Sequence, residues 1–205
     1  MEQPDFESAR QYVLRILEQD LPSGVLYHSL DHTRGDVVPA VERLAQLEGI
    51  SDTDLLLVRT AAFFHDIGFI YRSEEHEAAG AKMIGEVLPG FGYSQSQIES
   101  IQKMIMATRL PQSPHTLLEK IIADADLDVL GRDDFFIRNK ALRNELAGRG
   151  ITVSDEQWYK SQLNFLKNHR YWTKAARKLR NKRKRANILM MQQLLDKIQE
   201  SIPNE

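Results

Sequence analysis

Apolar side chains recur every three or four positions along most of the chain, and Gly and Pro cut this pattern into helix-length pieces. Residues 5–20 form the first such piece, with Phe6, Val13, Leu14, Ile16 and Leu17 on one face, ended by Pro22-Ser23-Gly24. A second follows His28, runs through Val37, Val38, Val41 and Leu44, and stops at Gly49. Ser51-Asp52-Thr53-Asp54 supplies an N-cap and an acidic first turn for a third, which leads to His65-Asp66. That piece is apolar on nearly every side, so it is expected to be the central, buried helix. Further helices are expected over 74–88, over 94–107, in the Asp-rich stretch after Pro111 and Pro114, over 133–146, and from Ser154 onward. The strict alternation that marks a strand is nowhere convincing, so the expected fold is all-α.

Composition narrows the class. A chain of 205 residues with 42% hydrophobic side chains can bury a full core. The expected organisation is a helical core over 1–150 with C-terminal helices over 151–205 packed on it. The apolar runs fall short of the ~20 residues that span a bilayer. The acidic start, Met1-Glu2-Gln3-Pro4-Asp5, has no apolar signal core, and a cytoplasmic location without membrane association is expected. The absence of cysteine excludes disulfides, iron–sulfur clusters and thiolate zinc sites.

Charge adds one feature. Lys174, Arg177, Lys178, Arg180, Lys182, Arg183, Lys184 and Arg185 place eight positive charges in twelve residues, leaving −10 on the rest of a chain that totals −2. Such polarity attracts anions. It fits internal pairing with the acidic body, capture of a nucleotide phosphate, or nucleic-acid contact through 174–185. The nearby aromatics Trp158, Tyr159, Tyr171 and Trp172 recur at helical spacing and are expected in the core.

The candidate chemistry lies in three segments. Phe63-Phe64-His65-Asp66-Ile67-Gly68 ends an apolar run with two metal-capable side chains, and burying such a pair is costly unless something, such as a cation, satisfies it. In Tyr27-His28-Ser29-Leu30-Asp31-His32-Thr33-Arg34, His28 and His32 share a helix face. In Ile122-Ala123-Asp124-Ala125-Asp126-Leu127-Asp128, helical geometry sets Asp126 opposite the pair Asp124 and Asp128, so only one of these faces can look into a site.

Taken together, these motifs resemble the HD superfamily of metal-dependent phosphohydrolases, over roughly residues 25–131 with a weaker echo at 171–189. The resemblance implies an HD-like helical bundle whose ligands fall on His32, His65, Asp66 and Asp126. Two imidazoles and two carboxylates suit one divalent ion, with Mn, Fe, Co, Ni or Zn better matched than Mg. The implied activity is hydrolysis of a phosphate ester or anhydride, of nucleotide type, with Asp66 also positioning the attacking water. His76 and Glu75 are candidate acids; Arg34, Arg109, Arg170 and Lys174 are candidate substrate contacts. Two departures from the family pattern, the missing Pro-Glu after His76 and Thr108 where a further His often stands, argue against a second metal. Phe69 stands where some relatives carry a phosphate-binding Lys. The rival reading is a non-catalytic regulator that binds metal and nucleotide, or nucleic acid through the basic helix; either reading is compatible with a homo-oligomer.

Overall fold

The computed structural model describes residues 3–200; residues 1–2 and 201–205, at the outer ends of the two expected segments, lie outside the described residues. The described residues form nine α-helices and no strand: α1 (Phe6–Asp20), α2 (Val38–Glu48), α3 (Asp52–Phe64), α4 (His76–Val87), α5 (Gln95–Met106), α6 (Leu117–Asp126), α7 (Phe135–Gly148), α8 (Asp155–Asn168) and α9 (Lys174–Glu200). The expected all-α bundle is what the chain builds.

Helix α3 is the hub, with α1, α2, α5 and α6 packed around it. The Ser51 hydroxyl accepts the Asp54 N–H at 3.1 Å and starts it. Val58, Ala61, Ala62 and Phe64 are then fully enclosed. Burying a side chain the size of Val58 or Phe64 contributes about 1.5–3 kcal/mol, which holds the end of α3 in the centre of the molecule. No helix among the described residues is long and apolar enough to cross a membrane.

Three local departures from the expected helices matter to the site. The helix after His28 opens with a π-helical turn, His32–Val37, before α2. There the Val38 N–H reaches the Thr33 carbonyl five residues back, which widens the turn. The Asp-rich helix stops at Asp126, and Asp128–Gly131 forms a separate 3₁₀ turn. The run expected from Ser154 onward breaks between α8 and α9. There the Asp124 carboxylate accepts the N–H groups of Trp172 (2.8 Å) and Thr173 (2.7 Å) and the Thr173 hydroxyl (2.7 Å). Thr173 in turn caps α9 by accepting the Ala176 N–H at 3.1 Å.

Helix α9 lies against α8, α2 and the 128–131 turn. Its approach is so close at Gly131 that an added Cβ would meet Arg180 Cβ at 2.5 Å and its carbonyl oxygen at 2.6 Å. The contact delivers Arg180 to Asp128, with Nε and Nη2 at 2.6 and 2.7 Å, where Arg43 also donates at 3.1 Å. Arg183 meets Asp133 at 2.8 Å, and Lys184 donates to the His169 carbonyl. Arg180 and Lys184 of the basic run are thus engaged inside the protein and tie the C-terminal helices to the core, while the Arg183 pair lies at the surface. Trp158 and Tyr171 are buried, while Tyr159 packs partly buried against the core.

Candidate metal centre and cleft

Four side chains from three parts of the chain converge where α3 ends. His65 and Asp66 come from the turn after α3, His32 from the π-helical turn, and Asp126 from the last residue of α6. His65 Nε2 lies 3.1 Å from Asp66 Oδ2 and 3.6 Å from Asp126 Oδ1. His32 Nε2 lies 3.4 Å from Asp126 Oδ1 and 3.7 Å from Asp66 Oδ2. His32, His65 and Asp66 are buried and offer ligand atoms all within 4.8 Å of one another. Asp126 is somewhat more open, at 18% side-chain exposure. The structure therefore brings together all four residues that the family resemblance implied as ligands.

The donor set fits a cation. His65 Nδ1 is 2.9 Å from the Ala62 carbonyl, so it carries the proton and leaves Nε2 with a free lone pair. His65 Nε2 and Asp66 Oδ2 are both enclosed, and despite their proximity neither makes a hydrogen bond. Two buried, unsatisfied ligand atoms side by side are costly unless an ion lies between them.

The charges agree. Burial alone would depress the His32 imidazole, but hydrogen bonds to Asp126 and Asp36 and the charge of Asp66 push it up to about 10. His65 is likewise raised against its burial by Asp66 and Asp126. Asp66, against a burial that favours its neutral form, is held well below the carboxylate range by His65 and His76. Protons on the imidazoles balance the carboxylates, and a bound cation would displace them.

The face argument for the Asp triplet resolves cleanly. Asp124 and Asp128 both turn to the C-terminal helices, as described above, and Asp126 alone faces the imidazoles. His28 also does not join the four. Its Nδ1 lies 2.7 Å from the buried carboxylate of Glu145, and its ring stacks on Phe69 at 4.3 Å. Phe69 packs on its other neighbour, His76, at 4.1 Å. Where some relatives have a cationic side chain, this protein has an aromatic spacer between two histidines.

His76 stands at the start of α4, close to the centre. Its Nδ1 is 3.0 Å from the Ser73 carbonyl, and its Nε2 is 3.5 Å from Asp66 Oδ1 and 3.4 Å from Glu77 Oε1. Burial pushes it down, but Asp66 and Glu77 raise it above its ordinary value. Gly68 makes this placement possible: a Cβ there would sit 1.9 Å from the His76 carbonyl oxygen and 2.9 Å from the Gly80 nitrogen.

The other expected contacts fall elsewhere. Glu75, at φ 53°, is exposed and pairs with Arg109 at 3.5 Å and Arg72 at 3.9 Å; Glu77 is the carboxylate beside His76. Arg34 is exposed and lies 3.8 Å from Asp31. Arg170 sits over the Trp172 ring at 5.0 Å, in a neighbouring groove. Lys174 is exposed at the first turn of α9. None of these five side chains lines the cleft that opens from the metal centre.

That cleft, of about 210 Å³, is walled at one end by Asp66, Asp126 and His76 and at the other by α7 and α8, through Phe135, Arg138, Asn139, Gln162 and Phe165. Sequence reasoning missed this far wall, because the residues facing it come from helices whose relative placement no local pattern encodes. It also missed Asp36, although the signal was present four residues after His32. Asp36 lies 3.6 Å from His32 Nδ1 and is itself held by Arg132 (2.6 Å) and Arg138 (2.9 Å). It thereby orients the His32 ring with Nε2 toward the centre. Asp36→Asn should weaken divalent-metal affinity by about 10–100-fold, the usual cost of losing such a supporting carboxylate. Competition with a chromophoric chelator measures this, and unchanged affinity would refute the role.

Comparison with known proteins agrees with this geometry. The sequence model of the family described as HD domain matches residues 26–128. A crystal structure described as a predicted HD superfamily hydrolase, from an uncultured Thermotogales bacterium, superposes with a TM-score of 0.63. The two chains share 21% identity, covering 95% of this chain and 93% of that one. No curated protein gives a significant match.

Proposed function

The chain belongs to the HD-domain family, and from that premise we propose that it is a metal-dependent phosphohydrolase acting on a small phosphate ester or anhydride of nucleotide type. The observation that carries the reading is the pair of enclosed, unsatisfied ligand atoms, His65 Nε2 and Asp66 Oδ2, at one end of a cleft. The description of the Thermotogales protein as a hydrolase agrees with it.

His32, His65, Asp66 and Asp126 would hold one divalent ion, with Mn, Fe, Co, Ni or Zn favoured over Mg by the nitrogen donors. Such an ion supplies Lewis acidity toward a phosphoryl oxygen and acidifies water. The protein's own groups do the rest. Asp66 presents Oδ2 to the centre and Oδ1 to His76, so it can orient water on one side while holding the imidazole on the other. His76 bonds to the Ser73 carbonyl and to carboxylates through opposite ring nitrogens, an arrangement that favours the doubly protonated ring. It is placed to give its Nε2 proton to the departing oxygen. His28 and Phe69 wall the reacting end and limit bulk water.

The test is a phosphoester and nucleotide panel with Mn²⁺, Co²⁺ and Ni²⁺, run on wild type and Asp126→Asn. The expected result is turnover by wild type that the variant loses, with its fold unchanged by circular dichroism. Metal and nucleotide binding by wild type without any turnover would instead identify a non-catalytic regulator.

A further inference from the structure

The far end of the cleft is built from helices α7 and α8, outside the segment that matches the family model, and its polar groups have a fixed polarity. The Trp158 indole N–H donates to Asn139 Oδ1 at 2.9 Å. An indole can only donate, so this bond fixes which way the Asn139 amide faces. Asn139 Nδ2 must then donate outward, and it does so to Gln162 Oε1 at 2.6 Å. The Gln162 carbonyl is thereby used, and its Nε2 donor has no hydrogen-bond partner among the described residues. Gln162 is a half-buried lining residue of the cleft, and its Nε2 donor is open rather than enclosed. Trp158 and Asn139 are buried, so packing holds the relay in place.

The rest of this end is apolar, through Leu130, Phe135 and Phe165. Arg138 is the one Lys or Arg side chain among the described cleft-lining residues. Its charge is already met by Asp36 at 2.9 Å and Asp134 at 3.6 Å. A second phosphate would find no unpaired guanidinium here. The volume of about 210 Å³ also falls below the ~300–1,000 Å³ usual for drug-sized ligands.

We propose that this end is a leaving-group chamber in which Gln162 donates a hydrogen bond to an acceptor on a neutral, single-ring base, such as the base that a pyrimidine nucleoside carries. The inference rests on the phosphohydrolase reading for its word "leaving", but not for the chamber's polarity. It narrows the substrate from esters and anhydrides in general to an ester with an uncharged leaving group. Asn139 and Trp158 are positioning residues that act through Gln162.

The test compares wild type with Gln162→Met and Asn139→Asp, each checked for folding by thermal melt. Gln162→Met deletes the donor. Asn139→Asp still accepts from Trp158 but offers Gln162 an acceptor, so the Gln162 amide turns and shows its carbonyl to the cleft. The readout is the ratio of kcat/KM for uridine 5′-monophosphate to that for benzyl phosphate, whose ring bears no acceptor. Both variants should lower that ratio by about 10–100-fold, the scale of an unpaired hydrogen-bonding group. An equal loss on both esters would show a structural role only and overturn the proposal. Uridine binding, measured by calorimetry, separates the two readings. Saturable binding that weakens at least tenfold in Gln162→Met supports the chamber even if neither ester is hydrolysed, in which case only the hydrolase reading falls. No uridine binding by wild type, or equal binding by the variant, overturns the chamber.

Discussion

His65→Ala protein should purify with almost no bound metal, against about one divalent ion per chain for wild type, because the variant removes a ligand whose ring already has its proton fixed on the far side. Losing a supporting carboxylate already costs about 10–100-fold in metal affinity or activity, and loss of a ligand itself should exceed that. Metal analysis of dialysed protein by mass spectrometry measures the content directly. Full retention of metal by His65→Ala would sink the proposed centre. The sign of the pH dependence follows from the imidazoles. His32 is pushed up to about 10 when protons stand in for the cation, so below that pH a proton competes for the same nitrogen. Apparent metal affinity should therefore climb as pH rises from 6 to 9, by up to about tenfold per unit for each proton released.

Gly68→Ala is the second change expected to be severe. Its Cβ would meet the His76 carbonyl oxygen at 1.9 Å and carbon at 2.7 Å, and neither backbone atom can swing aside as a flexible side chain would. Overpacking of this kind costs about 1–3 kcal/mol, or more where nothing yields. At about 2–4 °C per kcal/mol for a chain of this size, the melting temperature should drop by roughly 5–10 °C. Activity should fall further than stability explains. The start of α4 must back away from the turn, taking His76 with it, and a misplacement of about 1 Å near a reacting centre costs on the order of 100-fold. Gly148→Ala is the control: nothing lies within 4 Å of its added Cβ, and alanine favours the helix. A Gly68→Ala protein with wild-type melting and turnover would remove the basis for the close approach.

Much of this was legible in the sequence because it depends on neighbours along the chain. Ser51 caps α3 through an atom three residues away, and α3 is the buried central helix that its nearly all-round apolar character implied. The opposition of Asp126 to Asp124 and Asp128 is helix geometry, and it survives even though the helix ends at Asp126. The substrate contacts were not legible. Arg34 and Arg109 sit close in sequence to cleft-forming residues, but an exposed, flexible side chain pairs with whatever carboxylate lies nearest, here Asp31 and Glu75. Glu75 and Glu77 show the same limit: both are acidic neighbours of His76, and only the course of the backbone around φ 53° at Glu75 decides which one reaches it.

By itself, the chain's own order of apolar and polar residues determined an all-helical fold, its central helix and the residue types that gather around a cation, since caps, periodicity and ligand chemistry act over a few residues or through family pattern. Only the tertiary structure decided the far wall of the cleft, the pairing of Arg180 and Lys184 with the core, and which end of the Gln162 amide is left free. Those depend on how α7, α8 and α9 cross the rest of the bundle, and crossing is set by close contacts between distant segments, such as Gly131 against Arg180, that no local stretch contains.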